Sequence, residues 1–84
     1  PDLALNLARP STFRDYVTHP ERLERELLAA GPSVRTVFLD EVQRVPALLD
    51  VVQVLLDEHP GRFRFYLSGS SARKLRIRTL EETR

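Results

Sequence analysis

Two places in this 84-residue chain bring together side chains able to do chemistry. The first is Asp40-Glu41, at the end of the apolar run Thr36-Val37-Phe38-Leu39. Two adjacent carboxylates can hold a hydrated Mg²⁺ and polarise a water, which is what hydrolytic phosphoryl transfer needs. The second is Ser68-Gly69-Ser70-Ser71, at the end of Arg62-Phe63-Arg64-Phe65-Tyr66-Leu67. A hydroxyl there can sense a phosphate or hold a nucleophilic water. Each feature also has an ordinary reading. Acids are common where strands leave a sheet, and Gly69 with Ser70 or Ser71 would equally form a tight turn and cap a helix. What favours chemistry is the pair. Both features sit at strand ends, and neighbouring parallel strands would bring them to the same rim of one sheet. In open α/β sheets ligands bind just outside that rim.

The elements that must position them follow from patterning. Thr36–Leu39 is a short apolar run, which by periodicity alone fits a buried helix segment as well, and it reads as a buried strand of the kind typical of parallel sheets covered on both faces, placed at about Arg35–Leu39. Leu3, Leu5 and Leu7 alternate with smaller residues and predict a first strand over Leu3–Ala8. A short helix is expected from about Phe13 to Val17. Thr18-His19-Pro20-Glu21 then reads as a helix start, with Thr18 as N-cap and Glu21 at the capping-box position. Leu23, Leu27 and Leu28 form its apolar stripe. Glu21 with Arg25, and Arg22 with Glu26, stand at i,i+4 on its wet face. Gly31-Pro32 ends it near Ala30.

Val42-Gln43-Arg44-Val45-Pro46 is a connecting loop, because Val45 precedes proline. The helix placed at Pro46–Glu58 is apolar around most of its girth, which implies cover on more than one side. His59-Pro60-Gly61 breaks it. The third strand, Arg62–Leu67, puts Phe63, Phe65 and Leu67 on one face. A further helix is expected to start near Ser71. The order of strands and helices predicts βαβ units and a parallel sheet.

Composition narrows the class. Charged residues make up 30% and hydrophobic residues 42%, the balance of a globular domain rather than a disordered one. A net charge of +1 gives no overall drive toward nucleic acid or acidic membrane. Cysteine is absent, so disulfides and thiolate metal sites are excluded, and a cytoplasmic location is expected. No apolar run reaches membrane-spanning length. The chain opens at Pro1 and contains no Met, which suggests a fragment or a processed product. His19 and His59 each precede a proline at a helix boundary, and metal binding is not expected of them. Tyr66 and the phenylalanines are expected in the core.

From Thr36 through Val42-Gln43-Arg44-Val45-Pro46, and on through Leu67-Ser68-Gly69-Ser70-Ser71-Ala72-Arg73-Lys74-Leu75, the chain resembles the AAA-type ATPases of archaea and bacteria whose ATPase core precedes a C-terminal domain of unknown function. The likeness extends more loosely to Leu3–Leu28. It implies a partial P-loop NTPase-type three-layer core, with a parallel sheet of about three strands and flanking helices. Residues 1–75 would be a fragment of that core and 76–84 a basic and polar tail. Thr36–Glu41 would be the Walker B strand, with Asp40 supporting Mg²⁺, Glu41 activating water and Ser68 as the sensor-type polar residue. Ser70 is a second candidate for that last role, and Arg73 could meet a phosphate. Gln43 matches the family's Gln without an assigned role.

The sequence also departs from that pattern. Its three glycines, Gly31, Gly61 and Gly69, do not make a Gly-x-x-x-x-Gly-Lys-Ser/Thr loop, so nothing in these residues cradles β- and γ-phosphates. The resemblance therefore implies ATP and Mg²⁺ as cofactors of a fuller protein, and an isolated chain that neither grips nor hydrolyses ATP. One alternative is a non-enzymatic module that self-associates or docks a partner through an open sheet edge, on the side of the core's missing first strand, and the apolar helix 46–58. Another is a nucleic-acid binder acting through the Arg73–Arg78 cluster.

Overall fold

A computed structural model describes residues 2–69 and the backbone of residues 78–80. The elements in order are β1 (Leu3–Asn6), α1 (Pro10–Thr18), α2 (Arg22–Ala29), β2 (Thr36–Asp40), a 3-10 turn (Val42–Arg44), α3 (Ala47–Glu58), β3 (Arg64–Ser68) and β4 (Arg78–Leu80). The sheet order is β1-β2-β3-β4. The first three strands are parallel, in the register Asn6↔Asp40↔Ser68. The expected α/β architecture, a three-stranded parallel sheet with flanking helices, is the one observed.

Alternation along the strands explains the layers. Val37, Leu39, Phe65 and Leu67 are buried, while their neighbours Phe38, Asp40, Tyr66 and Ser68 are only half-buried. The buried set joins Leu7, Tyr16, Leu23, Leu27, Leu48, Val52, Leu55 and Leu56 in one cluster, so the described helices cover one sheet face. Successive right-handed crossovers progressing one way across a sheet leave their helices on the same side. Fully burying each Leu, Val or Phe contributes about 1.5–3 kcal/mol, so this one layer of contacts carries most of the stability.

Phe63 and Phe65 are core residues as expected, and Phe13 packs against the core. Phe38 and Tyr66 are not core residues, because their strand positions turn them to the opposite face.

Several boundaries differ from expectation for local reasons. The first helix begins at Pro10, not Phe13, since proline's fixed φ suits the first helical position. It runs through Thr18, which is therefore not the N-cap of the next helix. The second helix starts at Arg22 with no side-chain cap, and Glu21 instead meets the His19 ring, Oε2 to Nδ1 3.2 Å. Its two i,i+4 pairs form as the spacing predicts, Arg22–Glu26 at 2.6 Å and Arg25–Glu21 at 3.8 Å. Gly31, with φ 90°, lies just beyond the C-cap Ala30 and ends α2.

The central strand is shifted one residue, to Thr36–Asp40, and the third, Arg64–Ser68, starts two residues later and ends one later than expected. In α3, Leu48, Val52, Leu55 and Leu56 are buried, but Leu49 and Val54 are each 39% exposed. The cover on more than one side that its girth implied is thus not complete. The β3 edge expected to be open carries β4, paired antiparallel with Phe65↔Leu80 and Leu67↔Arg78. An edge strand's unpaired N–H and C=O groups are satisfied by whatever strand can reach them.

Candidate functional site

The C-terminal rim of the sheet gathers Asn6, Asp40 and Ser68, which are register partners and project on one face. Ser68 Oγ donates a hydrogen bond to Asp40 Oδ1. Asp40 is the last residue of β2 and Ser68 the last of β3, so ladder hydrogen bonds fix both backbones while both side chains reach the rim. The Asp40 carbonyl accepts from Leu7 N–H at 2.9 Å, which ties the end of β1 to the same point.

Glu41 follows in the left-handed region, φ 59° and ψ 42°. Among the described residues it is the sole non-glycine with positive φ. An L-residue there costs about 1–2 kcal/mol. The surroundings hold it in place. Val42 and Val45 are fully buried on either side of the 3-10 turn, and Arg44 N–H donates to Glu41 O at 3.1 Å. The backbone kink swings the Glu41 carboxylate out of the strand's alternation and onto the turn. There Gln43 Nε2 donates to Glu41 Oε1 at 2.7 Å. The Arg44 guanidinium lies over the Phe13 ring, 4.9 Å from its centroid, and fastens the turn to α1.

The structure thus brings Asp40, Glu41 and Ser68 to one rim. Ser70 and Arg73 lie outside the described residues, as does most of the Arg73–Arg78 cluster. Two polar residues here were not singled out for chemistry, or were given no role, by sequence reasoning. Asn6 stands level with Asp40, and its Oδ1 accepts from Ala8 N at 3.0 Å to close the turn after β1. A polar residue ending the alternating Leu3-Leu5-Leu7 strand was the available signal. Gln43 gains a role that spacing alone did not give: it holds the Glu41 carboxylate.

The donor set fits the group expected of such a site. Asp40 and Ser68 offer hard oxygen atoms, the type Mg²⁺ takes, and Mg²⁺ usually keeps several waters beside one or two carboxylates. Among the described residues there is no cluster of three or more His, Cys, Asp or Glu that would hold a metal by protein ligands alone. A hydrated ion shared with a phosphate needs no such cage. No helix among the described residues is long and apolar enough to cross a membrane.

The sequence matches the family model described as an AAA domain over residues 2–84. No curated protein and no solved structure match it.

Proposed function

The chain belongs to the AAA domain family, a nucleotide-binding ATPase-type domain, and on that premise we propose that it contributes the metal-and-water half of an ATP-hydrolysing site. The observation that carries this is the Asp40–Ser68 hydrogen bond at the carboxyl rim of adjacent parallel strands, with Glu41 the next residue along the chain. Asp40 would hold Mg²⁺, and Ser68 fixes the rotamer of Asp40 through their hydrogen bond. Bound Mg²⁺ supplies neutralisation of charge on the transferring phosphoryl group. Glu41 accepts a hydrogen bond from the attacking water and orients it. Gln43 is a positioning residue that holds the Glu41 carboxylate over the turn after β2.

Residues 1–84 contain no Gly-rich phosphate loop, so this half-site does not grip the β- and γ-phosphates by itself. Calorimetric titration of the 84-residue chain with Mg-ATP is expected to show no tight binding. Micromolar affinity would overturn that. In a longer chain that carries a phosphate loop ahead of this core, Glu41→Gln keeps ATP bound and stops hydrolysis. Unchanged turnover would refute the role of Glu41.

A second reading, a docking module, draws on Leu49 and Val54, both exposed on α3. Gel filtration separates the two, since a stable dimer of the chain would favour docking and a monomer the half-site.

A further inference from the structure

Asn6, Asp40 and Ser68 share one rung of the parallel sheet, each at the end of its strand. Asp40 and Ser68 are joined by their own hydrogen bond. Asn6 has only a local contact, its Oδ1 accepting from Ala8 N–H at 3.0 Å. We propose that Asn6 is a ligand-binding residue of the same site, donating from Nδ2 to an oxygen of the phosphate group that the metal ion bridges. This rests on the half-site reading and adds to it a contact with the anion.

The Asn6 amide is fixed at one end and open at the other. Ala8 N–H holds Oδ1, and Arg9 N–H donates to the Asn6 carbonyl at 3.1 Å, so the turn after β1 is tied to this residue twice. Those two bonds set the plane of the side-chain amide. Among the described residues nothing accepts from Nδ2. Asn6 is exposed, so both Nδ2 hydrogens are within reach of a ligand.

The chemistry of the rung then selects that ligand. The Asp40 carboxylate offers acceptors; Oδ1 takes the Ser68 hydrogen, and the second oxygen suits a hard cation. Asn6 offers the converse. Its oxygen is engaged by Ala8 N–H, and a neutral pair of N–H donors remains. Such donors do not meet Mg²⁺. Waters on Mg²⁺ turn their hydrogens outward and seek acceptors, so they do not bind there either. What the donors fit is an anionic oxygen. Neighbouring strands lie about 4.8 Å apart, so a group for a cation and a group for an anion stand side by side. A metal ion bridged to a phosphate presents that same pair of charges.

The ordinary role of Asn6 is the turn alone. Asn is favoured there because its side-chain oxygen takes a backbone N–H two residues on. That role uses only Oδ1, and an aspartate oxygen fills it equally well. The two roles therefore rank substitutions in opposite order.

Asn6→Asp and Asn6→Ala separate them. In the 84-residue chain both variants should still unfold cooperatively, which shows that they are folded. In a longer chain that carries a phosphate loop, calorimetric titration with Mg²⁺ and a non-hydrolysable ATP analogue reads the contact. Loss of the donor in Asn6→Ala should weaken affinity about fivefold. Asn6→Asp sets a carboxylate against the phosphate and should weaken it about twentyfold or more. Tighter binding by Asn6→Asp than by Asn6→Ala would reduce the residue to its turn and overturn the proposal. Parent-like affinity in Asn6→Ala would overturn it as well. Asp40→Asn tells that failure from a failure of the half-site. If analogue binding keeps its Mg²⁺ dependence in Asp40→Asn, the half-site reading falls and the Asn6 contact with it. If the dependence is lost while both Asn6 variants bind like the parent, the Asn6 contact alone falls.

Discussion

Ser68 donates its hydroxyl hydrogen to Asp40 across the β2–β3 pair, joining residues 28 positions apart in sequence at the last rung of the parallel ladder. Neither side chain can swing away without losing that bond, so the carboxylate presents its second oxygen in one direction.

Removing the donor should register as stability as well as function. Ser68→Ala leaves the Asp40 carboxylate one hydrogen bond short in a half-buried setting, and a loss of about 1 kcal/mol is expected after allowance for partial exposure. Urea unfolding of the chain measures it. A midpoint unchanged from the parent would mean that water replaces the hydroxyl without cost.

Glu41 should show the opposite sign. Glycine adopts φ 59° without the steric cost an L-residue bears there, so Glu41→Gly is expected to stabilise the chain by up to about 1 kcal/mol, partly offset by the flexibility glycine adds to the unfolded state. Any water-orienting role would be lost with the carboxylate. Thermal unfolding gives the first quantity. A lower melting temperature for the glycine variant would show that the Gln43 contact outweighs the backbone strain.

Tyr16, Glu26 and Arg22 pin α1 to α2. Tyr16 donates to Glu26 Oε1, and Arg22 Nε donates to Glu26 Oε2 at 2.6 Å. Burial raises the Glu26 pKa, but the bonds from Tyr16 and Arg22 outweigh it and leave the value below 4.5. Its folded value being depressed, this contribution is present above pH 4.5 and fades as pH falls below it. The Tyr16 hydroxyl moves the other way, pushed well above 10.0 by burial and by its bond to Glu26. That contribution is present below pH 10 and fades as pH rises beyond it. Tyr16→Phe should cost about 1 kcal/mol at neutral pH and flatten the alkaline limb. Unfolding free energy measured from pH 3 to 11 in both proteins checks the two limbs.

Strand β4 shields the β3 edge, and Thr79 pairs opposite Tyr66. Thr79→Pro removes a backbone donor and disfavours the strand. Gel filtration over a range of concentrations should then show association that the parent lacks, because the exposed edge offers its N–H and C=O groups to a second chain. A variant that stays monomeric at every concentration would show that β4 does not protect the edge.

Much of this protein is written in local pattern. The alternation of Phe63, Phe65 and Leu67, the apolar run ending at Asp40-Glu41, the i,i+4 charge pairs of α2 and the glycine at its end all act over a few residues. Hydrophobic period and backbone sterics therefore determine them before any tertiary contact forms. The same is true of the chain order that implies a parallel sheet, and of the placing of Asp40 and Ser68 at strand ends.

Other features needed the assembled fold. Thr18 continues α1 instead of capping α2, because the extra turn of helix and the Tyr16–Glu26 contact together outcompete a cap. Phe38 and Tyr66 read as core from composition, but which sheet face receives the helices depends on crossover hand, not on those residues. The level placement of Asn6 with Asp40 depends on register between strands more than 30 residues apart in the chain, and the left-handed backbone of Glu41 and the Gln43 amide on its carboxylate carry no pattern in the sequence. Sequence determined which residues could act. Only the pairing of strands, driven by burial of one shared face, decided which of them meet.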